Sequence, residues 1–552
     1  MAVGQPRRLL ARAVATPVTL CPLDAWGAGS CATVEPAPGF SAAMRKRSRQ
    51  RTRLTIACCV AALVVGLSLS AVGVPAGAAP ADNPGAAQKQ MRKAKREKLR
   101  RANAKQKRPN VIVIETDDQN NDMSALPIVL DKLGSHGTTF RNSYASFPLC
   151  CPSRATFLTG QYAHNHHVIS TDLPNGYNGL DHTNTLPVWL RRSGYRTAMV
   201  GKYLNGYGLN DGLIEPVADT KEIPPGWSEW YALTSGSDQR RYQYKLNENG
   251  KLQYYGTGAR NYVTDVLSTK VIDFLQRRAP RPKPFFLWFN PTAPHGESGV
   301  PFNSTRDPQP APRYLGAFGD GGAPRTPNFD EPNVSDKPDL VKDQPRLSQA
   351  DIDDIDRRWR GRQESLLSVD ETVKRIIGRL KKARDLRKTY IFFTSDNGLQ
   401  LGSHRLIFKS YLYEESTRVP LIVRGPRFPA GVVRDQLVAN IDLAPTIVEI
   451  TKARPRLTMD GISLLPLAAN PSVAANRDIL FETFDLNSYG IRDGNWQYNQ
   501  YNGGSEEELY DLVADPFELE SRDSAGGSFA TTKSALKARL AQLKTCAGVS
   551  CQ

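Results

Sequence analysis

Apolar and polar residues fall along this chain in blocks. Asn110–Asp118, "NVIVIETDD", is a short β-branched run that ends in acids. Such a run predicts a strand buried on both faces of a parallel sheet. "YRTAMVGKY", "PFFLWFNPTAPH" and "TYIFFTSDNG" repeat the plan, an apolar run followed by a polar turn, and "VPLIVRGP" adds a further strand. Between them "LPIVLDKLGSHG", "LSVDETVKRIIGRLKKARDL" and "NIDLAPTIVEI" place apolar residues at helical spacing. Strands alternating with helices predict an α/β fold, a large mixed and mostly parallel sheet flanked by helices on both faces. Near residue 460 the period changes. "YGIRDGNWQYNQY" and "EELYDLVADPFELES" predict short antiparallel strands, and "TTKSALKARLAQLK" a closing helix. The expected organisation is therefore a main domain over 109–455 and a smaller antiparallel α+β subdomain over 456–552. Residues 300–350 are rich in Pro, Asp and Gly, which predicts a long irregular insertion over a substrate or across the surface.

The formal charge of +17 suggests a polyanionic partner until it is located. Residues 1–108 hold 20 of the 72 Lys/Arg but 4 of the 55 Asp/Glu, so 109–552 carries a net charge of +1. The folded body gives no support for nucleic-acid binding. The basic arm reads as a targeting segment: "MRKRSRQRTRLT" from Met44, an uncharged apolar run Ile56–Val74, then small residues Ala76–Ala78. Residues 44–79 are expected to be a cleaved signal peptide or, uncleaved, an N-terminal anchor, and the product secreted or membrane-anchored. Residues 1–43 read as an upstream extension with translation starting at Met44. Residues 80–108 form a basic linker, a solvated charge run with some scope for cell-envelope association.

Export changes what the eight cysteines mean. Cys21, Cys31, Cys58 and Cys59 leave with the arm or lie in the membrane. "CAGVSC" can close a small loop through Cys546 and Cys551 in an oxidising compartment. Cys150 and Cys151 are adjacent, and a disulfide between neighbours is strained and rare. They need another explanation.

Chemistry is expected where strands end, because open α/β sheets bind ligands at their carboxyl edges. Asp117 and Asp118 close the first strand, and Asp396 and Asn397 another. Adjacent side chains on a regular strand point to opposite faces, so both acids can face one ligand only if the chain leaves the strand there. Four oxygen donors at two strand ends suit a hard cation such as Ca²⁺ or Mg²⁺. "HNHH", His164–His167, invites a zinc reading, but its spacing is too compact and no acid or cysteine partner is placed nearby; it reads as a loop or pocket-wall segment.

"CCPSRATFLTGQY" resembles the sulfatase signature C-x-P-S-R-x-x-x-L-T-G, with Cys150 at the key position. "TDDQ", "VGKYLNGYG", "PTAPH" and "DNGLQLGSHRLIFKSYLYEESTRVPLIVRGP" resemble that family's further motifs in the family's order, over roughly residues 108–545. The resemblance implies an alkaline-phosphatase-like fold and a hydrolase of sulfate esters. It implies that Cys150 is oxidised to formylglycine by a formylglycine-generating enzyme, and that the hydrated aldehyde attacks sulfur. Asp117, Asp118, Cys150, Asp396 and Asn397 are the implied ligands of Ca²⁺, with Mg²⁺ the alternative. Arg154 is the implied holder of the nucleophile and the metal shell, Lys202 and Lys409 contact sulfate, and His295 is the general acid at the leaving oxygen. Cys151 packs. One departure stands out. Many sulfatases have a histidine two residues after the first lysine, whereas this chain has Leu204 and then Asn205. "GKYLNGYG", "CCPSR" and "HNHH" resemble instead the variant of N-acetylglucosamine-6-sulfatases and extracellular heparan 6-O-endosulfatases. Asn205 can fill the space without matching histidine's basicity, and His404 in "GSHR" is the candidate substitute base. The expected substrate is a 6-O-sulfated N-acetylglucosamine or related sulfated sugar. Aryl sulfates and phosphate or phosphonate esters are the alternatives, and a non-catalytic carbohydrate-binding relic is a further one.

Overall fold

The computed structural model describes residues 88–95, 97, 108–172, 174–208, 221–297, 307–473, 477–483 and 487–552. The chain divides between Ala81 and Asp82, and everything described lies in the second unit. The upstream extension, the signal or anchor, and most of the basic linker lie outside the described residues. Among the described residues no helix is long and apolar enough to cross a membrane.

A ten-stranded sheet forms the centre. Its strands are β1 (Asn110–Thr116), β2 (Thr138–Phe140), β3 (Arg196–Gly201), β4 (Glu229–Leu233), β5 (Tyr244–Glu248), β6 (Leu252–Tyr255), β7 (Phe285–Asn290), β8 (Thr389–Ser395), β9 (Leu421–Arg424) and β10 (Val432–Arg434). The spatial order is β10-β2-β9-β8-β1-β7-β3-β4-β5-β6. The central run β8-β1-β7-β3-β4 is parallel, and antiparallel pairs appear where β9 meets β8 and where β5 meets β4. All seven residues of β1 are buried, as a central parallel strand requires. Its side chains alternate between two cores. Val111 and Val113 face the core that holds α1 (Cys150–Thr159), α2 (Leu186–Arg192) and α5 (Leu443–Thr451). Ile112 and Ile114 face the core that holds α3 (Val263–Arg278) and α4 (Gln349–Ala383). The helix expected from "LSVDETVK…" is only the second half of α4, which begins at a Ser348 capping box within a polar stretch. Polar residues hid that first half from a hydrophobic-period reading.

The C-terminal sheet is an antiparallel meander, β11 (Asp478–Thr483), β12 (Ser488–Asp493), β13 (Trp496–Tyr501) and β14 (Glu506–Asp511), covered by α6 (Ser528–Leu543). Cys546 and Cys551 form a disulfide just beyond α6. The insertion is irregular over its described part, apart from a short turn at Pro312–Tyr314 and a four-residue helix at Asp339–Lys342.

Candidate active site

The carboxyl ends of β1, β3, β7 and β8, neighbours in the sheet, deliver Asp117–Asp118, Lys202, His295 and Asp396–Asn397 to one place. β1 ends at Thr116, and Asp118 takes φ +66°, outside strand geometry. That turn lets two consecutive carboxylates face one centre, and the backbone N–H of Asp118 donates to Asp396 Oδ1 at 2.9 Å. Gly201 closes β3 at φ +122°, where a Cβ would lie 1.8 Å from the Asn290 carbonyl oxygen. Only glycine allows β3 to meet β7 this closely and so fixes the Lys202 backbone, whose N–H donates to that carbonyl at 3.0 Å.

Cys150 opens α1, a helix buried along its whole length, and neither it nor Cys151 is in a disulfide. Burial pushes the Cys150 thiol up, and Lys202 and Lys409 only partly oppose it, so an unmodified Cys150 is a poor thiolate. Lys409 Nζ stands 2.7 Å from its sulfur and also donates to Asp118. Cys151 has a thiol pushed up to about 12 by burial, and its sulfur lies 4.0 Å from the Asn205 carbonyl oxygen.

Asp117, Asp118, Cys150 and His295 bring their ligand atoms within 4.8 Å of one another. Lys202 Nζ reaches both oxygens of Asp117 at 3.0 and 2.8 Å, and His295 Nε2 lies 3.5 Å from Asp118. Burial alone would raise both acids. Lys202 at Asp117 and Lys409 at Asp118 outweigh it and hold both near 2, fully ionised. Burial lowers His295, whose Nδ1–H donates to the Gly296 carbonyl at 2.6 Å and leaves Nε2 to the cavity. Asn397 donates from Nδ2 to Asp118 at 2.8 Å, and its buried Oδ1 has no hydrogen-bond partner. An orphaned amide oxygen beside two ionised carboxylates is the donor set of a hard cation, so these residues fit Ca²⁺ or Mg²⁺. Asp396 borders that donor group without joining the 4.8 Å cluster. Its Oδ1 accepts from two backbone N–H groups and its Oδ2 from Arg154 Nε at 2.9 Å. Arg154, fully buried, also donates to the Lys202 carbonyl at 3.2 Å and faces Glu115 at 3.7 Å.

A cavity of about 350 Å³ opens over this centre, lined by Asp118, His295, Lys409, Arg362 and Phe408 among others. Pro308 of the insertion lines it too, so the irregular segment does reach the site.

One sequence candidate is committed elsewhere. His404 is fully buried, with Nδ1 bonded to Glu331 at 2.6 Å, Nε2 near Asn328 at 3.3 Å and its ring stacked on Tyr413. Both ring nitrogens are engaged and the residue does not line the cavity, so it is not placed to act as the substitute base. Asn205 has a buried Oδ1 without a hydrogen-bond partner, and its carbonyl accepts from Tyr177. In "HNHH", His164 pairs with Glu482 at 2.8 Å and His166 bonds Thr156 at 3.0 Å, which are structural roles.

The fold adds residues that the motifs did not announce. Arg241, fully buried, donates to Thr292 Oγ1 at 2.9 Å and to the His295 carbonyl, pinning the histidine loop. Asp238, its carboxyl raised by burial, lies within electrostatic reach of Lys202 and His295. Both come from the polar loop before β5, where single-sequence reading has no periodic signal. Glu115 had one: an acid next to the apolar run Val111–Ile114 needs a buried partner, here Arg154.

The sulfatase family profile matches residues 109–453, and a profile described as N-sulphoglucosamine sulphohydrolase, C-terminal, matches 402–546. Human N-acetylglucosamine-6-sulfatase is 38% identical over 389 residues, covering 68% of this chain and 67% of that protein. A Caenorhabditis elegans protein named putative extracellular sulfatase Sulf-1 homolog is 34% identical over 371 residues, covering 65% of this chain and 49% of that protein. The chain thus spans about two thirds of the first relative and half of the second. A solved structure titled as a complex with its substrate D-glucosamine-2-N,6-O-disulfate superposes with a TM-score of 0.64 at 26% identity, covering 79% of this chain and 98% of that one.

Proposed function

The chain belongs to the sulfatase family, and from that premise we propose that it is an exported hydrolase of 6-O-sulfated N-acetylglucosamine or a closely related sulfated sugar. The observation that carries this is the convergence of Cys150, two lysines, His295 and oxygen donors from two strand ends beneath one cavity, in a chain 38% identical to an N-acetylglucosamine-6-sulfatase.

In this reading Cys150 is converted to formylglycine, whose hydrated aldehyde supplies a nucleophile that can be sulfated and then release sulfate unaided by an external acceptor. Asp117, Asp118 and Asn397, with Asp396, would hold Ca²⁺, which supplies charge stabilisation at the nucleophile and sulfate oxygens. The chain's own groups do the rest. Lys202 and Lys409 stay protonated, since their carboxylates outweigh burial and raise both. They oppose the negative charge that grows on the sulfuryl oxygens. Arg154 orients Asp396 and, through the Lys202 carbonyl, ties the two loops together. His295 keeps its Nδ1–H on the Gly296 carbonyl, and as the imidazolium, which Asp118 and Asp117 favour against burial, it would carry a second proton on Nε2 to give to the leaving alcohol oxygen. The C-terminal disulfide suits an oxidising compartment, in line with export.

The test is sulfate release from N-acetylglucosamine 6-sulfate by full-length protein co-expressed with a formylglycine-generating enzyme, alongside peptide mass spectrometry. Turnover together with an aldehyde at Cys150 supports the reading. A free Cys150 thiol in fully active protein overturns the nucleophile, and hydrolysis of phosphonate esters but no sulfate ester overturns the reaction class.

A further inference from the structure

A second group of ligand-type side chains lies outside the cavity. His404, Glu415 and Glu518 bring a ring nitrogen and two carboxylate oxygens within 4.8 Å of one another. His404 and Glu415 belong to the stretch between β8 and β9, and Glu518 follows β14 of the C-terminal sheet. His404 and Glu518 are fully buried. Two buried carboxylate oxygens in this group have no hydrogen-bond partner, Oε1 of Glu518 and Oε2 of Glu415. The other oxygen of each is occupied. Glu518 Oε2 accepts from the Glu414 backbone N–H at 3.0 Å, and Glu415 Oε1 from Asn328 Nδ2 at 2.7 Å. Bare carboxylate oxygens inside a protein are costly unless a cation or a proton meets them.

The surroundings offer no cation. Burial, with Glu414 and Glu415 beside it, pushes the Glu518 carboxyl well above the usual carboxylate range. Glu508, a further acid acting on it, is held by the hydroxyls of Tyr413, Tyr501 and Tyr510. Arg418 is spent on Glu414 at 3.1 Å, and Lys337 on Asp336 at 2.8 Å and Glu331 at 3.5 Å. Among the described residues no Lys or Arg forms an ion pair with Glu415 or Glu518.

The imidazole is set as that of a metal ligand is. His404 Nδ1 meets a carboxylate oxygen of Glu331 at 2.6 Å, the kind of outer partner that fixes a ligating ring and leaves Nε2 as the donor. Asn328 Nδ2 stands 3.3 Å from Nε2. A half-turn of that amide exchanges its ends. Oδ1 then faces Nε2 and Glu415, and Nδ2 donates to Thr326 Oγ1, which in the present arrangement donates to Oδ1 at 2.7 Å. One imidazole nitrogen, two carboxylates and an amide oxygen suit a divalent transition ion, Zn²⁺ before Mn²⁺.

We propose that His404, Glu415 and Glu518, joined by the Asn328 amide oxygen, form a second metal site that holds one Zn²⁺ or Mn²⁺. The ion is structural. Lys409 lies between His404 and Glu415 in the chain, so the ion fastens both ends of the Lys409 loop to the C-terminal sheet. The site is independent of the reaction and of the cation expected at Asp117 and Asp118.

The test uses tag-free full-length protein, stripped with a chelator, returned to excess Ca²⁺, and then given Zn²⁺ or Mn²⁺. Metal per chain is read by plasma mass spectrometry and stability by thermal melting. The expected result is about one Zn²⁺ or Mn²⁺ per chain beside the calcium, with melting several degrees above the form that has Ca²⁺ alone. Glu518→Gln keeps the shape but loses both the ion and the shift, as does His404→Ala. Asp118→Asn, which disturbs the other centre, keeps both. The rival arrangement is a proton shared between Glu415 and Glu518. Glutamine mimics a protonated carboxyl, so in that case Glu518→Gln melts at or above the wild-type temperature and Zn²⁺ shifts neither protein. That outcome overturns the proposal, and so does an ion that both Glu518→Gln and His404→Ala retain in full. Should both variants fail to fold, the wild type and Asp118→Asn decide: no bound Zn²⁺ or Mn²⁺ and no shift in melting, or an ion lost in Asp118→Asn, overturns the site.

Discussion

Replacing Arg154 by lysine keeps the charge and removes the geometry. Arg154 Nε donates to Asp396 Oδ2 at 2.9 Å while Nη1 donates to the Lys202 carbonyl at 3.2 Å, two bonds in different directions from one rigid group. A lysine ammonium can keep the first or the second. The loss of one charge-assisted hydrogen bond in a fully buried setting is about 2–3 kcal/mol. Arg154→Ala costs more, about 3–5 kcal/mol, because Glu115, Asp117 and Asp396 are left without their buried cation. Arg154→Lys also leaves Asp396 Oδ2 held less rigidly while Oδ1 keeps its two backbone donors, and kcat is expected to fall at least ~100-fold. Urea unfolding with Ca²⁺ and with chelator gives the stability difference, and steady-state kinetics on an aryl sulfate gives the rate. A lysine variant that unfolds within about 0.5 kcal/mol of the wild type and turns over normally would refute the argument that Arg154 works as a two-way tether.

Cys150→Ala is expected to abolish turnover, while Cys151→Ala keeps it and loses about 1–3 kcal/mol of stability, read by thermal melting and activity together. Chelation removes activity and Ca²⁺ restores it; stoichiometric zinc with no calcium in active protein would contradict the oxygen-donor assignment. Burial holds His166 down to about 3, so the folded ring stays neutral while the unfolded one protonates below about 6.5. Stability is therefore lost as pH falls from about 6.5 toward 3, by up to ~1.4 kcal/mol per pH unit from this residue, and His166→Gln flattens that limb of the melting profile. His404→Ala is expected to destabilise the protein through its lost bonds to Glu331 and Asn328, with no burst of phenol from an aryl sulfate; a burst followed by slow turnover would restore His404 as the base that frees sulfate.

The strand ends were legible because a buried strand that stops on two acids has no structural reason to do so. Asp117, Asp118, Asp396 and Asn397 carry that signal, and the fold gathers their loops. The "CCPSR" string likewise stood out, because two adjacent cysteines do not readily pair, and the fold leaves both out of any disulfide. His404 shows the limit of motif proximity: it is near Lys409 in sequence, but a left-handed backbone at φ +52° turns it toward Glu331. Arg362 and Arg241 were illegible for another reason. Arginine in a polar helical or loop stretch reads as solvated, and only the fold shows these two buried, Arg362 on α4 against the Pro294 and Asp118 carbonyls and Arg241 against Thr292 and the His295 carbonyl. The first half of α4 hid in the same way.

Cys150 is 2% exposed in the finished fold, and Asn397 lies 279 residues from Asp118, the partner it bonds across the site. These two facts together set a schedule. A central sheet that needs β8 beside β1 cannot close until some 280 residues past β1 have been made, and pairing at such separations is slow. The "CCPSR" segment is therefore reachable while the chain is being made, then sealed. On the proposed reading, an enzyme that oxidises Cys150 has to act before the fold closes, and chains it misses keep a buried thiol at the site.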